Sequence, residues 1–418
     1  MTGYQTLNTK INELIIFRNL LADEVIQKLL QAAKDSANRS LISDYTAQLI
    51  SKAELLGLSG NLFKNYLTYL IAQDENIFSI MTEQTGGQIG SSLLKAVVHD
   101  MTILKDLLCS HFHELTSNKL IEEYSPTCPS ITPGSAILET QLAEALSQDA
   151  SPESLALLLL SHYATYGYGD MANFKAFRWQ DNQGLIGIKH FDKITLTDIV
   201  GYERQKATLV SNTESLLDGK PANNVLLIGA RGTGKSSSVK ALANTYFTRG
   251  LRLVEISKQQ MCHLPKIMET LRSRAGKKFI IFLDDLSFEE FEIEYKFLKS
   301  VIEGGVEAKP DNVLIYATSN RRHLIKETWS DRNGDADEIH RFDSVHEKIS
   351  LSDRFGITIT YLAPNQDEYL QIVEELAKKN KVDLQLSQLK QEAIRWELAH
   401  SGRSGRTAQQ FIHYIMGQ

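Results

Sequence analysis

Two hydrophobic rhythms divide this chain of 418 residues. Through residue 124, apolar positions such as Ile11, Leu14, Ile15, Leu20, Leu21, Val25, Leu29 and Leu30 recur at steps of three and four. That spacing places a stripe on one face of a helix, so the stretch is predicted to be mostly helical. The segment from Ser125 to Gly134 holds three of the chain's eight prolines and reads as a loop or linker. Two helices are expected next, the second with Ser151 as its N-cap and Pro152 at the first helical position. Tyr166-Gly167-Tyr168-Gly169-Asp170 reads as a glycine hinge, followed by an irregular stretch through Phe177-Arg178-Trp179.

From Leu196 onward the rhythm changes. Short continuous apolar runs at 224–228, 252–256, 278–283, 312–317 and 357–361 read as buried strands with helical stretches between them. That alternation predicts an α/β fold, a five-stranded parallel sheet with right-handed crossovers. Beyond residue 365 no strand signal remains, and helices around 366–379, 386–399 and 404–416 predict a small helical lid. The expected organisation is a helical N-terminal domain (1–165), a connector (166–195), an α/β core (196–365) and the lid (366–418).

The densest chemistry lies between the first core strand and the helix after it. Gly229-Ala230-Arg231-Gly232-Thr233-Gly234-Lys235-Ser236 completes the G-x-x-x-x-G-K-[ST] phosphate loop. Its glycines let backbone N–H groups turn inward around a phosphate chain, and the helix beginning there favours anions. Lys235 is expected to reach the β- and γ-phosphates, Ser236 to hold Mg²⁺, and Ser237 to extend the cradle. A second motif, Phe279 to Leu283 followed by Asp284-Asp285, is an apolar strand delivering carboxylates to the sheet edge where α/β ligands bind. Asp284 fits the Mg²⁺ shell, and Asp285 fits the acceptor that orients the attacking water. The run Val313 to Ala317 ends in Thr318-Ser319-Asn320, whose amide is suited to positioning that water.

Composition narrows the setting. With 42 % hydrophobic and 23 % charged residues the chain reads as an ordinary soluble protein. The apolar stretch Leu155 to Leu160 is far too short to cross a bilayer. Cys109, Cys128 and Cys262 lack metal spacing and suit a reducing compartment, so a cytoplasmic location is expected. Residues 1–165 carry ten Lys+Arg against eighteen Asp+Glu, a balance of −8 within a total of −6. Charge therefore does not favour nucleic acid as the N-terminal partner. His111, His113 and Glu114, with nearby His99 and Cys109, lack zinc spacing. Cys262-His263 has no third ligand in sequence. Tyr166, Tyr168, Phe174, Phe177 and Trp179 suit an aromatic latch better than base stacking.

The order of these motifs resembles an AAA+ ATPase. Asp198-Ile199-Val200-Gly201-Tyr202-Glu203 resembles the segment that flanks adenine, which implies that Val200 and Gly201 line the base site. Gly229–Ser236 matches Walker A, Leu283-Asp284-Asp285 Walker B, and Asn320 sensor 1. Leu351-Ser352-Asp353-Arg354-Phe355-Gly356 resembles the arginine-finger box, and Ser404-Gly405-Arg406-Thr407-Ala408 the lid motif that supplies sensor 2. Phe177-Arg178-Trp179, the Asn223–Leu227 run, Asp284–Glu289 and Ser352–Gly356 are together similar to an uncharacterised bacterial AAA+ family known only as a domain of unknown function. The Asp-Asp pair departs from the commoner Asp-Glu.

The resemblance implies a homo-oligomer with ATP between neighbours. Arg354 would then reach the adjacent subunit's γ-phosphate, while Arg406 acts from the subunit's own lid, with Arg403 as its competitor. It also implies an ATPase that remodels, loads or regulates a macromolecule engaged by the acidic N-terminal domain. A nucleotide-dependent switch with little turnover and a monomeric small-molecule kinase are the alternatives.

Overall fold

The computed structural model describes every residue except 1–9, 36, 111–118, 129–132, 289–291, 293, 304–308, 322–323, 325–350, 401 and 418. The chain divides into two compact units, one comprising 1–174 with 273–277 and the other 175–272 with 278–418.

The first unit is helical. Its helices are α1 (Glu24–Lys34), α2 (Arg39–Leu56), α3 (Leu62–Gln73), α4 (Ile77–Thr85), α5 (Ser91–Cys109), α6 (Pro133–Ser147), α7 (Pro152–Tyr166) and the single turn α8 (Asp170–Asn173). Local chemistry starts them. Asp23 caps α1 by accepting from Val25 and Ile26 N–H. Asn76 forms a capping box with Ser79. Ser151 caps α7 with Pro152 just inside it, which satisfies N–H groups a helix start leaves unpaired. Ile26, Leu29, Leu49, Leu67, Leu104 and Leu159 lie in its buried core.

Two of the charges buried in this unit are met by backbone. Asp100 is fully buried and accepts the N–H groups of Ile15, Ile16 and Phe17 at 2.7–3.1 Å. Lys277, also fully buried, donates to the carbonyl oxygens of Tyr163 and Ala164 at 2.9 and 2.6 Å. Those oxygens belong to the last turn of α7, where the helix leaves carbonyls unpaired and its dipole favours a cation. Arg274 pairs with the buried Glu83.

The second unit carries a seven-stranded sheet: β1 (Ala176–Gln180), β2 (Gly184–Gly187), β3 (Val225–Gly229), β4 (Leu251–Glu255), β5 (Lys278–Leu283), β6 (Val313–Ser319) and β7 (Ile357–Tyr361). Their order is β2-β1-β4-β5-β6-β3-β7. The five expected strands are present and parallel to their neighbours. Five is nevertheless too few, because the stretch read as irregular around Phe177-Arg178-Trp179 is strand β1. It pairs antiparallel with β2 and parallel with β4, Phe177 facing Val254. Alternating burial along β1, with Phe177 and Trp179 inward and Arg178 outward, is that of a half-covered strand. A hairpin thus extends the sheet at one edge.

Helices α9 (Glu203–Leu217), α10 (Lys235–Tyr246), α11 (Leu264–Arg272) and α12 (Glu294–Glu303) connect the strands, as parallel pairing demands. Leu227, Val239, Leu242, Leu253, Ile280 and Tyr316 share one core. The lid follows as α13 (Gln366–Lys379), α14 (Leu386–Ala399) and α15 (Gly405–Met416). Its own core is built on Tyr369, Val373, Leu389, Ala393, Phe411 and Ile412.

Register positions the chemistry. Leu227 of β3 faces Thr318 of β6, Gly229 faces Tyr361 of β7, and Leu283 of β5 faces Ala317 of β6. The phosphate loop, the Asp284-Asp285 pair and Asn320 therefore leave the sheet side by side at its C-terminal edge.

Candidate functional site

At that edge lies a cavity of about 640 Å³, lined among others by Arg231–Ser237, Asp284, Asp285, Thr318, Asn320 and Arg406. A pocket of this size suits a ligand of nucleotide dimensions. Ile194, Ile199, Val200, Ile372 and Leu376 supply its apolar surface.

The loop's shape depends on glycine at two positions. Gly229 has φ +143°, and a Cβ there would lie 1.9 Å from the Tyr361 carbonyl oxygen, inside the backbone of β7. Gly232 has φ +75°, and a Cβ would meet Ser404 Oγ at 2.8 Å. The lid thus rests directly on the loop, and Arg406 N–H donates to Gly232 O at 3.3 Å. Thr233 Oγ1 donates to Ala230 O at 2.9 Å and braces the turn.

Lys235 opens α10 and is largely buried. Its ammonium donates to Gly229 O, Ala230 O and Asn320 Oδ1 at 2.8, 2.7 and 3.1 Å. Burial pushes its pKa below the ordinary value, Asp284 and Asp285 oppose that shift, and Arg231 and Arg406 reinforce it. Among the described residues, three cations therefore converge on the cavity.

The carboxylates are held from two sides. Asp284 Oδ1 accepts from Ser236 Oγ at 2.5 Å and from Thr318 Oγ1 at 2.6 Å. Asp285 lies in the left-handed region at φ +50°, a conformation Asp tolerates better than most residues. Its N–H donates to Thr318 Oγ1 at 2.9 Å, and its Oδ1 accepts from Asn320 Nδ2 at 2.5 Å. Arg231 Nη2 stands 3.9 Å from Asp285 Oδ2. Ser236 and Asp284 together form a hard oxygen set of the kind Mg²⁺ takes beside phosphates.

Of the remaining sequence candidates, Gly229 and Ala230 contribute carbonyls to Lys235, Ser237 and Val200 line the cavity, and Gly201 lies outside its wall. Arg406 faces the cavity. Arg403 instead pairs with the buried Glu397 of α14 at 2.7 Å. Arg354 does not line the cavity and pairs with Glu303 of its own chain. Among the described residues no group of three or more His, Cys, Asp or Glu side chains could hold a metal ion. His99 pairs with Asp100, Cys109 and Cys262 are exposed, and His111, His113 and Glu114 lie outside the described residues. Tyr166, Phe177 and Trp179 are buried. Among the described residues no helix is long and apolar enough to cross a membrane.

Thr318 is the site residue that sequence reasoning missed. It is 1 % exposed and binds both adjacent aspartates. Its signal was a Thr-Ser pair of hydroxyls just before Asn320, at the end of a mostly apolar strand.

The chain is similar to several known proteins. The chain is 34 % identical over 98 residues to the replication factor C large subunit of Staphylothermus marinus, covering 22 % of each chain. It is 27 % identical over 95 residues to that of Methanococcus maripaludis, covering 22 % of this chain and 20 % of the relative. It thus spans about a fifth of these curated relatives. Among solved structures, the Thermotoga maritima RuvB Holliday junction branch migration motor overlays at a TM-score of 0.37 and 14 % identity, over 54 % of this chain and 65 % of that one. The FIGL-1 AAA domain in complex with ADP overlays at 0.37 and 20 %, over 54 % and 73 %. The family model described as a protein of unknown function, DUF815, matches residues 172–418. With more than half its length so matched, the chain, a phosphate-loop α/β protein with a helical lid, belongs to the DUF815 family.

Proposed function

We propose that this chain binds Mg-ATP in the cavity above β3, β5 and β6 and hydrolyses it to remodel, load or regulate a macromolecular partner. The observation that carries the reading is the convergence of Lys235, Ser236, Asp284, Asp285, Asn320 and Arg406 on one space from four separate places in the sequence. Lys235 and the loop N–H groups bind the phosphates, while Val200 and its apolar neighbours take the base. Mg²⁺, held through Ser236 and Asp284, supplies charge neutralisation at the phosphates when bound. Asp285, fixed by Asn320, orients water and accepts its proton. Arg406 stabilises charge that develops at the terminal phosphate.

Arg354 completes the site from a neighbouring subunit. Its position outside its own chain's cavity supports that role, and it makes the active form a homo-oligomer. The acidic helical unit is the surface for the partner, with net charge favouring a protein over nucleic acid.

Steady-state ATP turnover across protein concentrations tests this, with Lys235→Ala and Arg354→Ala alongside. Turnover per subunit should rise with concentration, and Arg354→Ala should bind ATP without hydrolysing it. Flat turnover with an active Arg354→Ala protein would sink the shared site. ATP binding without turnover at any concentration would favour the nucleotide-dependent switch.

A further inference from the structure

We propose that Arg231 is a third phosphate-directed cation of the subunit's own site, beside Lys235 and Arg406, and that it leaves Asp285 for the terminal phosphate when ATP enters; this rests on the reading of the cavity as an ATP site. Four groups stand in sequence across the cavity. Lys235 Nζ meets Asn320 Oδ1 at 3.1 Å, Asn320 Nδ2 meets Asp285 Oδ1 at 2.5 Å, and Arg231 Nη2 faces Asp285 Oδ2 at 3.9 Å. Lys235 and Arg231 thus stand at the two ends of one chain of contacts through Asn320 and Asp285. The terminal phosphate, drawn to Lys235 and set against water on Asp285, comes within reach of both.

The pair with Asp285 is built to exchange. At 3.9 Å it is too long for a hydrogen bond. Its side chains are 77 % and 61 % exposed, so water screens what attraction remains. A phosphate offers a guanidinium parallel, charge-assisted bonds that this contact lacks. Leaving Asp285 also frees the Oδ2 oxygen to take the water proton.

Charge balance points the same way. Among the described residues, Arg231, Lys235 and Arg406 face only Asp284 and Asp285, because Asp198, the third carboxylate on the wall, is engaged by Lys379 at 2.5 Å. Among the described residues the cavity holds one cation in excess before a polyanion arrives. The backbone beside Arg231 is also clamped. Gly232 O accepts from Arg406 N–H, and Ser404 leaves no room for a Cβ at Gly232. The loop is fixed by the lid while the exposed guanidinium is able to swing.

The test is calorimetric binding of Mg-ADP and of a slowly hydrolysed Mg-ATP analogue to the full chain, wild type against Arg231→Ala and Arg231→Lys, with Lys235→Ala as control. Arg231→Ala should lose about tenfold to a hundredfold in affinity for the ATP analogue, the worth of a charge-assisted contact. ADP should stay within about twofold, because an exposed charge acts weakly at longer range. Arg231→Lys should recover part of the difference, keeping charge without the planar fork. Turnover should fall in the order wild type, Lys, Ala. An unchanged ratio of ATP to ADP affinity in Arg231→Ala overturns the proposal, as does an equal loss of both nucleotides, which is the signature of a damaged loop. Neither result touches the ATP site itself. Failure of the wild type to bind either nucleotide, or undiminished binding by Lys235→Ala, defeats that underlying reading.

Discussion

Thr318→Val isolates the one hydroxyl that both aspartates share. Valine keeps the shape of the side chain, so the substitution opens no cavity and the loss is polar. Two bonds disappear: the one Thr318 Oγ1 donates to Asp284 at 2.6 Å and the one it accepts from Asp285 N–H at 2.9 Å. A hydrogen bond to a charged group is worth about 1.5–3 kcal/mol and a neutral one about 1 kcal/mol. Both aspartates are exposed, so water replaces part of this, and Asp284 keeps Ser236. About 1.5–3 kcal/mol remains as lost positioning, or roughly one to two powers of ten in turnover. The assay is a Mg²⁺ titration of steady-state ATP hydrolysis, with thermal melting alongside. The expected variant melts within a few degrees of wild type, needs more Mg²⁺ and turns over about tenfold to a hundredfold more slowly, while Thr318→Ser recovers most of the rate. Wild-type turnover and Mg²⁺ dependence in Thr318→Val would refute the argument that Thr318 aligns the pair.

Other perturbations address the frame around the site. Gly229→Ala drives a Cβ to 1.9 Å from the Tyr361 carbonyl. It should cost more than about 3 kcal/mol, read as a loss of folded protein in urea titration, because the clash is backbone on backbone. Arg403→Ala strips the partner from Glu397, which is 4 % exposed, and should lower the melting temperature with nucleotide specificity unchanged. Arg406→Ala should do the reverse, keeping the melting temperature and slowing turnover; equal effects from the two would refute their division of labour. Lys309 donates to Asn224 Oδ1 at 2.9 Å, and burial pushes its pKa down from 10.5 to about 8, with Asp311 opposing. The unfolded chain keeps that proton above pH 8 where the folded chain releases it. Stability should therefore rise with pH between 8 and 9.5, by at most about 1.4 kcal/mol per unit, a rise that urea unfolding of Lys309→Met should lack.

What the sequence determined by itself was everything set by local spacing. The phosphate loop from Gly229 to Ser236, the apolar runs of the five central strands and the lid helices at 366–379 and 386–399 follow from period and loop chemistry. These depend on neighbours a few residues away. The hairpin strand β1 was missed because Phe177-Arg178-Trp179 gives only two inward positions. So short an alternation becomes a strand only when β4 offers an edge to pair with. Thr318 was invisible for a related reason. Its hydroxyl matters because β6 lies beside β5 in the register that sets Ala317 against Leu283 and so brings residue 318 beside Asp284. Choosing between Arg403 and Arg406 likewise needed the third dimension. The two lie three residues apart in sequence, and only the packing of α14 against the start of α15 gives Glu397 to one and the cavity to the other. Sequence spacing fixes which groups the chain can offer; register and packing fix which of them meet, whether the partners lie six positions apart, as Arg403 and Glu397 do, or dozens, as Thr318 and Asp284 do.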